Sequence, residues 1–159
     1  MAIISFENLV EAGSTFALVP DGYRHLDWDF VAVDVTKNLV PWFKSAVHSG
    51  EGVAYYDQSR GPTADFKSPD RDDDFDFNSG YFTAFNANDL KVKVFGYDDG
   101  ERVAKKVFLL DPDQEFVRFG PQFDDIDEII IKATGGTLDD VTEGSLEHTF
   151  AVDDLFIDF

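Results

Sequence analysis

The sequence predicts an all-β protein, a two-sheet antiparallel β-sandwich of jelly-roll type. Three observations predict it. Apolar and polar residues alternate through residues 90–97, an Asp-Gly turn joins that run to the next one, and short apolar runs recur between turn residues. Alternation with period two places one face of a strand on the core and the other in water. Only residues 39–46 are expected to form a short helical turn.

The predicted strands follow the chain in order. Early runs rich in branched or aromatic residues predict strands near residues 3–6, 30–34, 53–56 and 81–85. Residues 90–97 and 102–110 flank the Asp-Gly turn and predict a β-hairpin. Further strands are predicted at residues 115–119, 127–133 and 148–159, with an acidic loop at 134–147. Residues 50–76 are the least regular part.

Length and composition indicate a folded single domain spanning residues 1–159. Aromatic residues make up 15% of the chain, and 17 of them are Phe. Disordered chains lack this apolar content, so it predicts a substantial core. The absence of Cys excludes disulfides, thiolate metal sites and Cys nucleophiles.

The net charge of −19 narrows the class of partner. Such a charge repels nucleic acid phosphates and anionic membranes, so neither is an expected partner. It favours hard cations such as calcium. The alternative is that the acidity only keeps the protein soluble, as in a salty medium.

The N-terminal residues 1–6 have no basic start and no long apolar stretch, so no signal peptide is recognised. A removed leader, another export route and a cytoplasmic location all agree with this. No run is long enough to cross a bilayer, so membrane insertion is not expected.

Three segments carry a resemblance to a known family. They are residues 20–28 (PDGYRHLDW), residues 77–86 (FNSGYFTAFN) with the following strand 90–97, and residues 150–155 (FAVDDL). In this order they resemble the exported jelly-roll domains of bacterial proteins that carry a PEP-CTERM sorting tail. They are also similar, more distantly, to galactose-binding-like carbohydrate modules. The chain departs from the family at Phe85, where the family has Trp.

The resemblance implies a galactose-binding-like sandwich, export from the cell and a structural calcium ion. First and last strands of such sandwiches often lie side by side, so Glu7 and Asp153 are expected to meet at one sheet edge. The resemblance implies that these two bind calcium, with Asp154, Asp21 and Asn8 as further ligands. Ordinary strand-edge carboxylates in water are the alternative. The acidic run at residues 72–76 lacks EF-hand spacing and is expected to be a solvated loop.

Aromatic residues in or near loops suggest a sugar platform, because sugar C–H faces stack on aromatic rings. The candidate ligand-binding residues are Tyr23, Trp28, Trp42, Tyr55, Tyr56 and Arg60. Trp28 lies at strand-like spacing between two Asp residues, so core packing is the alternative for it.

Catalysis has little support in the sequence. His25, His48 and His148 are far apart and form no zinc motif, and no nucleophile elbow or phosphate loop is present. A small polysaccharide-active enzyme is the third interpretation, with Tyr81, Arg118 and His148 as its candidate cleft residues. The prediction is a non-catalytic extracellular module, calcium-stabilised, that binds a glycan or polysaccharide. The alternative is a structural or adhesion protein that contacts other envelope or matrix proteins.

Overall fold

The computed structural model describes residues 1–38, 40–85, 87–138 and 148–159. In these ranges the chain forms two antiparallel sheets, which confirms the predicted β-sandwich. The elements are β1 (Ala2–Ile4), β2 (Phe16–Leu18), β3 (Asp27–Trp28), β4 (Val31–Asp34), α1 (Pro41–Ala46), β5 (Gly52–Tyr55), β6 (Ala64–Lys67), β7 (Asp76–Ala84), β8 (Ala87–Asp98), β9 (Glu101–Leu110), β10 (Glu115–Arg118), β11 (Glu128–Leu138) and β12 (Phe150–Asp158). Two 3₁₀ turns lie at Gln58–Arg60 and Pro121–Phe123.

The seven-stranded sheet is built around the last strand. Its order is β10-β7-β12-β5-β4-β2, and β1 also pairs with β12. Since β7 occupies one side of β12, the short strands β5 and β1 follow each other along the other side. β5 pairs with residues 151–152 and β1 with residues 155–157. The first and last strands are therefore neighbours, as expected. β12 lies inside the sheet, whereas β1 pairs with β12 alone in the described ranges.

The five-stranded sheet has the order β3-β6-β11-β8-β9. The predicted hairpin of β8 and β9 is present. Its turn needs positive φ, and Asp99 and Gly100 have φ of 50° and 80°. Asp-Gly supplies this at little steric cost, which is why the dipeptide predicts the turn.

Phe residues fill the space between the sheets. Those less than 2% exposed are Phe6, Phe30, Phe66, Phe77, Phe82, Phe123 and Phe150. A second apolar cluster lies around α1, where Trp42 and Ala46 pack with Val33, Val53 and Ala151. The helix itself confirms the predicted short turn and begins at Pro41, whose fixed φ suits the first helical position.

The structure differs from the sequence prediction in two ways. It adds the short strands β2, β3 and β6, and β11 continues to Leu138 where a loop was predicted from Thr134. Gly135 and Gly136 have positive φ, yet residues 134–138 pair with residues 87–91 of β8. Leu39, Asn86 and residues 139–147 of the predicted loop lie outside the described residues. No helix in the described ranges is long and apolar enough to span a membrane.

Candidate functional site

The structure places both predicted Trp residues in the core. Trp28 is 7% exposed and Trp42 is 8% exposed. Their indole N–H groups donate to the carbonyls of Tyr23 (2.8 Å) and Ala84 (3.0 Å). Trp28 also stacks on Phe66, with ring centroids 5.0 Å apart. Neither indole offers a free face to a sugar, and this corrects the predicted platform.

The other predicted platform residues are divided between the two apolar clusters. Tyr23 and Tyr56 pack on the main core, whereas Tyr55 packs on the cluster around α1. Tyr56 is buried and its hydroxyl donates to the Gly61 carbonyl. Burial raises the pKa of Tyr55 and of Tyr56. Arg60 is exposed and pairs with Asp29, Nε to Oδ1 at 3.1 Å.

Three of the five predicted metal ligands, Glu7, Asp153 and Asp154, contact one segment, residues 48–52. On β12, residues 153–154 lie between the parts that pair with β5 and β1. Asp153 Oδ2 accepts the backbone N–H of His48 (2.6 Å) and of Ser49 (3.1 Å). Glu7, which follows β1, accepts the N–H of Glu51 and of Gly52, the latter at 2.8 Å to Oε1. Two carboxylates therefore fix the segment that leads into β5.

Glycine is required at the end of that segment. A Cβ on Gly52 would lie 2.5 Å from the carbonyl oxygen of Phe6, and neither backbone can yield easily. Gly50 has φ of 65°, and its missing side chain leaves room for the Glu7 carboxylate.

The Asp153 side chain is fully buried, and burial is the main influence on its pKa. Burial raises its pKa from the ordinary 3.8 to about 7, although three backbone N–H donors act in the opposite direction. The third donor is the N–H of Asp154, 2.7 Å from Oδ1. Burial wins because a carboxylate loses more hydration there than these donors return.

Asp154 connects the buried strand to the surface. It is 5% exposed and has a φ of 43°, at an irregularity in the pairing of β12 with β7. Its Oδ2 lies 2.7 Å from His48 Nδ1, and its Oδ1 accepts the Ser49 hydroxyl at 2.9 Å. The imidazole is thereby held in a fixed orientation.

These contacts do not fit the calcium ion that the resemblance implies. Calcium requires six to eight oxygen ligands. Here the 48–52 segment turns N–H groups toward Glu7 and Asp153, and N–H groups repel a cation. Asp21 and Asn8 are exposed. Glu7, Asp153 and Asp154 are better explained as a hydrogen-bonded connection between strands, and Asp21 and Asn8 are not part of it.

A different carboxylate group lies at the β8–β9 turn. In the described part of the chain, carboxylate oxygens of Asp98, Asp99 and Asp127 lie within 4.8 Å of one another. Three such oxygens could together hold a metal ion. Asp127 Oδ2 accepts the Asp99 N–H at 3.0 Å. Burial and four nearby Asp carboxylates raise the pKa of Asp74 beside them. The acidic run therefore contributes to a concentration of negative charge.

Calcium dependence can be decided by thermal unfolding in EDTA and in excess calcium at matched ionic strength. We expect the same midpoint in both, because N–H donors occupy Glu7 and Asp153. A folded state that bound calcium would gain about 2.7 kcal/mol at a hundredfold excess over Kd. A rise lost in Glu7→Ala would restore the predicted site. A rise lost only in Asp99→Asn would assign calcium to the β8–β9 turn.

Exposed and half-buried aromatic rings lie side by side on the outer face of the seven-stranded sheet. The His48 ring stacks on Tyr81 at 3.5 Å with an interplanar angle of 12°. Tyr81 contacts Phe116 at 4.9 Å, and Phe116 meets Phe156 edge-on at 6.2 Å. The Arg118 guanidinium lies 5.2 Å from the Phe116 ring centre. We call His48, Tyr81, Phe116, Arg118 and Phe156 the aromatic surface.

Strand register produces the aromatic surface. Phe116 on β10 is opposite Tyr81 on β7, and Tyr81 is opposite Asp153 on β12. Phe116 is 42% exposed, so part of its ring is accessible to a ligand although the Arg118 guanidinium lies over it. The sequence prediction missed this surface, although the alternation of Phe116 and Arg118 with the buried Val117 was a usable signal.

The three residues of the enzyme alternative have different surroundings. Tyr81 and Arg118 belong to the aromatic surface, whereas His148 lines a cleft of about 360 Å³ with Tyr56 and Lys132. His25 is exposed, with its ring 5.7 Å from that of Phe159. Within the described residues, the cleft that contains His148 is not lined by Tyr81 or Arg118, so the three are not joined in one site.

Among known proteins, the similarity found for this chain is one of fold. The sequence matches no family profile and has no significant match among curated proteins. A DUF4465 family protein from Bacteroides ovatus ATCC 8483 is similar with a TM-score of 0.52 and 12% identity over 88% of this chain and 81% of that one.

Two carbohydrate-binding modules are similar at lower TM-scores. TmCBM61, solved in complex with β-1,4-galactotriose, has a TM-score of 0.42 and 12% identity over 87% of this chain and 93% of that one. A family 16 carbohydrate-binding module has a TM-score of 0.38 and 13% identity over 83% of this chain and 86% of that one. The DUF4465 likeness shows a shared sandwich fold, and the two lower scores support no comparison of sites.

Proposed function

We propose that the protein is a non-catalytic, extracellular glycan-binding module and that the aromatic surface binds the sugar. The supporting observation is the exposed Phe116 ring, with the Arg118 guanidinium over it and the His48–Tyr81 stack beside it. Sugar rings present C–H faces that pack on aromatic rings, and their hydroxyls need hydrogen-bonding groups nearby. The aromatic surface offers both within neighbouring strands.

The surface is also rigid, which reduces the entropy lost on binding. Tyr81 and Phe116 lie on paired strands, and His48 is held by Asp154. Asp154 also accepts the Ser49 hydroxyl, and the buried Asp153 accepts the Ser49 backbone N–H. A ligand would therefore meet side chains that are already in place.

A structural or adhesion role is the second candidate, and one observation favours it. The edge strand β2 exposes Phe16 (59%) and Leu18 (55%). Exposed apolar edge strands are templates for pairing with other chains. Light scattering over a range of concentrations separates the two roles, since a binding module of this kind is expected to stay monomeric.

Replacing Phe116 tests the proposed site. We expect Phe116→Ala to weaken binding to a neutral polysaccharide about tenfold, the equivalent of about 1.4 kcal/mol for a lost aromatic contact. Affinity electrophoresis against soluble galactan, xylan and glucomannan identifies a ligand, and calorimetry measures the variant.

Phe16→Ala is the matched control, because Phe16 is also an exposed ring, on the edge strand β2. It should leave the affinity unchanged. Equal affinity of wild type and Phe116→Ala would remove the aromatic surface as the site. A wild type that binds none of the three polysaccharides would count against binding of neutral glycans.

A further inference from the structure

Positive charge is concentrated on one part of the outer face of the five-stranded sheet, where β8, β9 and residues 130–134 of β11 lie side by side. Side chains there alternate with the buried residues of β8, β9 and β11. Five of the thirteen Lys and Arg residues project from it, namely Lys91, Lys93, Arg102, Lys105 and Lys132. We call these five residues, with Phe95 among them, the basic face.

The basic face is unusual in so acidic a chain. The outward positions of β8 from 91 to 97, of β9 from 102 to 109 and of β11 from 130 to 134 carry no Asp or Glu. Two acidic residues border this area, Glu128 opposite Tyr97 and Asp65 opposite Ile130. In the described ranges the ion pairs within 4.0 Å are made by the N-terminus, Lys37, His48 and Arg60. The cations of the basic face are thus left for an outside partner.

The pairing of β8 with β11 includes one contact that lowers the stability of the fold. Lys93 on β8 lies directly opposite Lys132 on β11. Like charges opposite each other destabilise a sheet. An anionic ligand between the two ammonium groups would relieve that repulsion.

An aromatic ring lies within the positive charges. Phe95 is half-buried, and the Arg102 guanidinium and the Lys105 ammonium lie 5.2 Å and 5.9 Å from its centre. Val107 (45% exposed) and Leu109 (51%) extend the apolar part of the face. A partner with both anionic groups and flat C–H faces fits this combination.

The shape of the face fits a polymer. Outward residues 91 to 97 span about 20 Å at roughly 3.4 Å per residue, and the cations are spread along this length. A lone phosphate or carboxylate ion would need converging charges. We propose that the basic face binds an acidic polysaccharide, with sugar carboxylates on the Lys and Arg side chains and a sugar ring on Phe95.

The net charge of the chain does not prevent this. Salt screens charges beyond about 8 Å at physiological ionic strength, so a bound polymer interacts mainly with the face it touches. Duplex DNA carries a charge every 1.7 Å or so and would meet stronger repulsion from the acidic remainder. The cleft lined by Lys132 and His148 adjoins the face at one end.

The inference rests on the proposed glycan-binding role but uses residues outside the aromatic surface, so the two can fail separately. Polygalacturonate is the probe, with affinity electrophoresis and calorimetry at 20 mM and 500 mM NaCl. The wild type should bind at low salt, and binding should fall at least tenfold at high salt. Lys91→Gln, Lys93→Gln and Lys132→Gln combined should weaken binding at least tenfold without unfolding the protein, because the variant removes like-charge repulsion.

The matched control changes three exposed cations elsewhere, Arg24→Gln, Lys44→Gln and Arg71→Gln, and should bind as the wild type does. An equal loss of affinity for polygalacturonate in both triple variants would show that net charge alone explains the binding. That result would overturn the proposed site. A single-stranded oligonucleotide bound more tightly than polygalacturonate, or self-association that the Lys variant abolishes, would overturn the choice of partner. Phe116→Ala should leave polygalacturonate binding intact. If this variant lost polygalacturonate binding, the acidic polymer would be assigned to the aromatic surface.

Discussion

Replacing Asp153 by Ala is expected to lower the free energy of unfolding by about 3 kcal/mol at pH 8. Its two oxygens accept the backbone N–H groups of His48, Ser49 and Asp154, and the side chain is 0% exposed. Alanine leaves three donors without a partner, and each buried donor left unpaired costs about 1 kcal/mol or more. Urea unfolding followed by Trp fluorescence measures the loss.

The same variant should lose more stability at pH 5 than at pH 8, by about 1 kcal/mol or more. The pKa of Asp153 is raised to about 7 in the folded protein from the ordinary 3.8. A raised pKa gives stability that is fully present below pH 4 and is lost as pH rises toward 7. The gap between wild type and Asp153→Ala therefore narrows over that interval, while all other groups titrate in both proteins.

Asp124→Ala is the control, since Asp124 is an exposed carboxylate on the surface. It should change the free energy of unfolding by no more than about 0.5 kcal/mol at either pH. A loss in Asp153→Ala that is equal at pH 5 and pH 8, or greater at pH 8, would show that Asp153 is ionised in the folded protein and is stabilised by its three donors.

Asp153 also links stability to the proposed function. The segment that it holds carries His48, whose ring stacks on Tyr81 in the aromatic surface. Releasing the segment frees that ring. We therefore expect Asp153→Ala to weaken glycan binding even at temperatures where the variant remains folded.

The sequence predicts well those strands whose signal is local. Residues 90–97 alternate, and the Asp-Gly turn fixes their register with β9, so the hairpin is correct. The strand β2 is missed because Phe16 and Leu18 are exposed and three residues show no period. Its pairing with β4 is a property of the whole sheet, and no nearby residue indicates it.

The candidate site was predictable in part. The resemblance implied that Glu7 and Asp153 meet, and in the structure the two carboxylates accept different N–H groups of the same segment, residues 48–52. The sequence could not show that the segment offers N–H groups and not carbonyl oxygens, because peptide orientation depends on the folded loop. Nor could it join Phe116 to Tyr81, since cross-strand partners distant in sequence follow from register alone.

Trp28 illustrates why residue type alone misplaces a binding platform. Exposed Trp binds sugars, but a Trp between Asp27 and Asp29 in a short strand turns one way while its neighbours turn the other. The buried position is filled by the larger apolar side chain. The core alternative for Trp28 is thus the one the structure shows.

Trp28→Ala is expected to lower the free energy of unfolding by about 3–5 kcal/mol, the usual range for removal of a buried Trp ring. The change removes a ring that stacks on Phe66 and meets Phe6 and Phe30 edge-on, at 5.4 Å and 6.3 Å. It also leaves the Tyr23 carbonyl without its indole donor. Urea unfolding measures the effect.

Trp28→Phe should lose less than half as much, since a ring still fills most of the space. Both variants should bind glycan with wild-type affinity at a temperature where they are folded, because Trp28 packs on the main core and is not part of the aromatic surface. The opposite pattern, little loss of stability with loss of binding, would make Trp28 a ligand contact. Stability and affinity measured on the same two variants therefore distinguish a core residue from a binding residue.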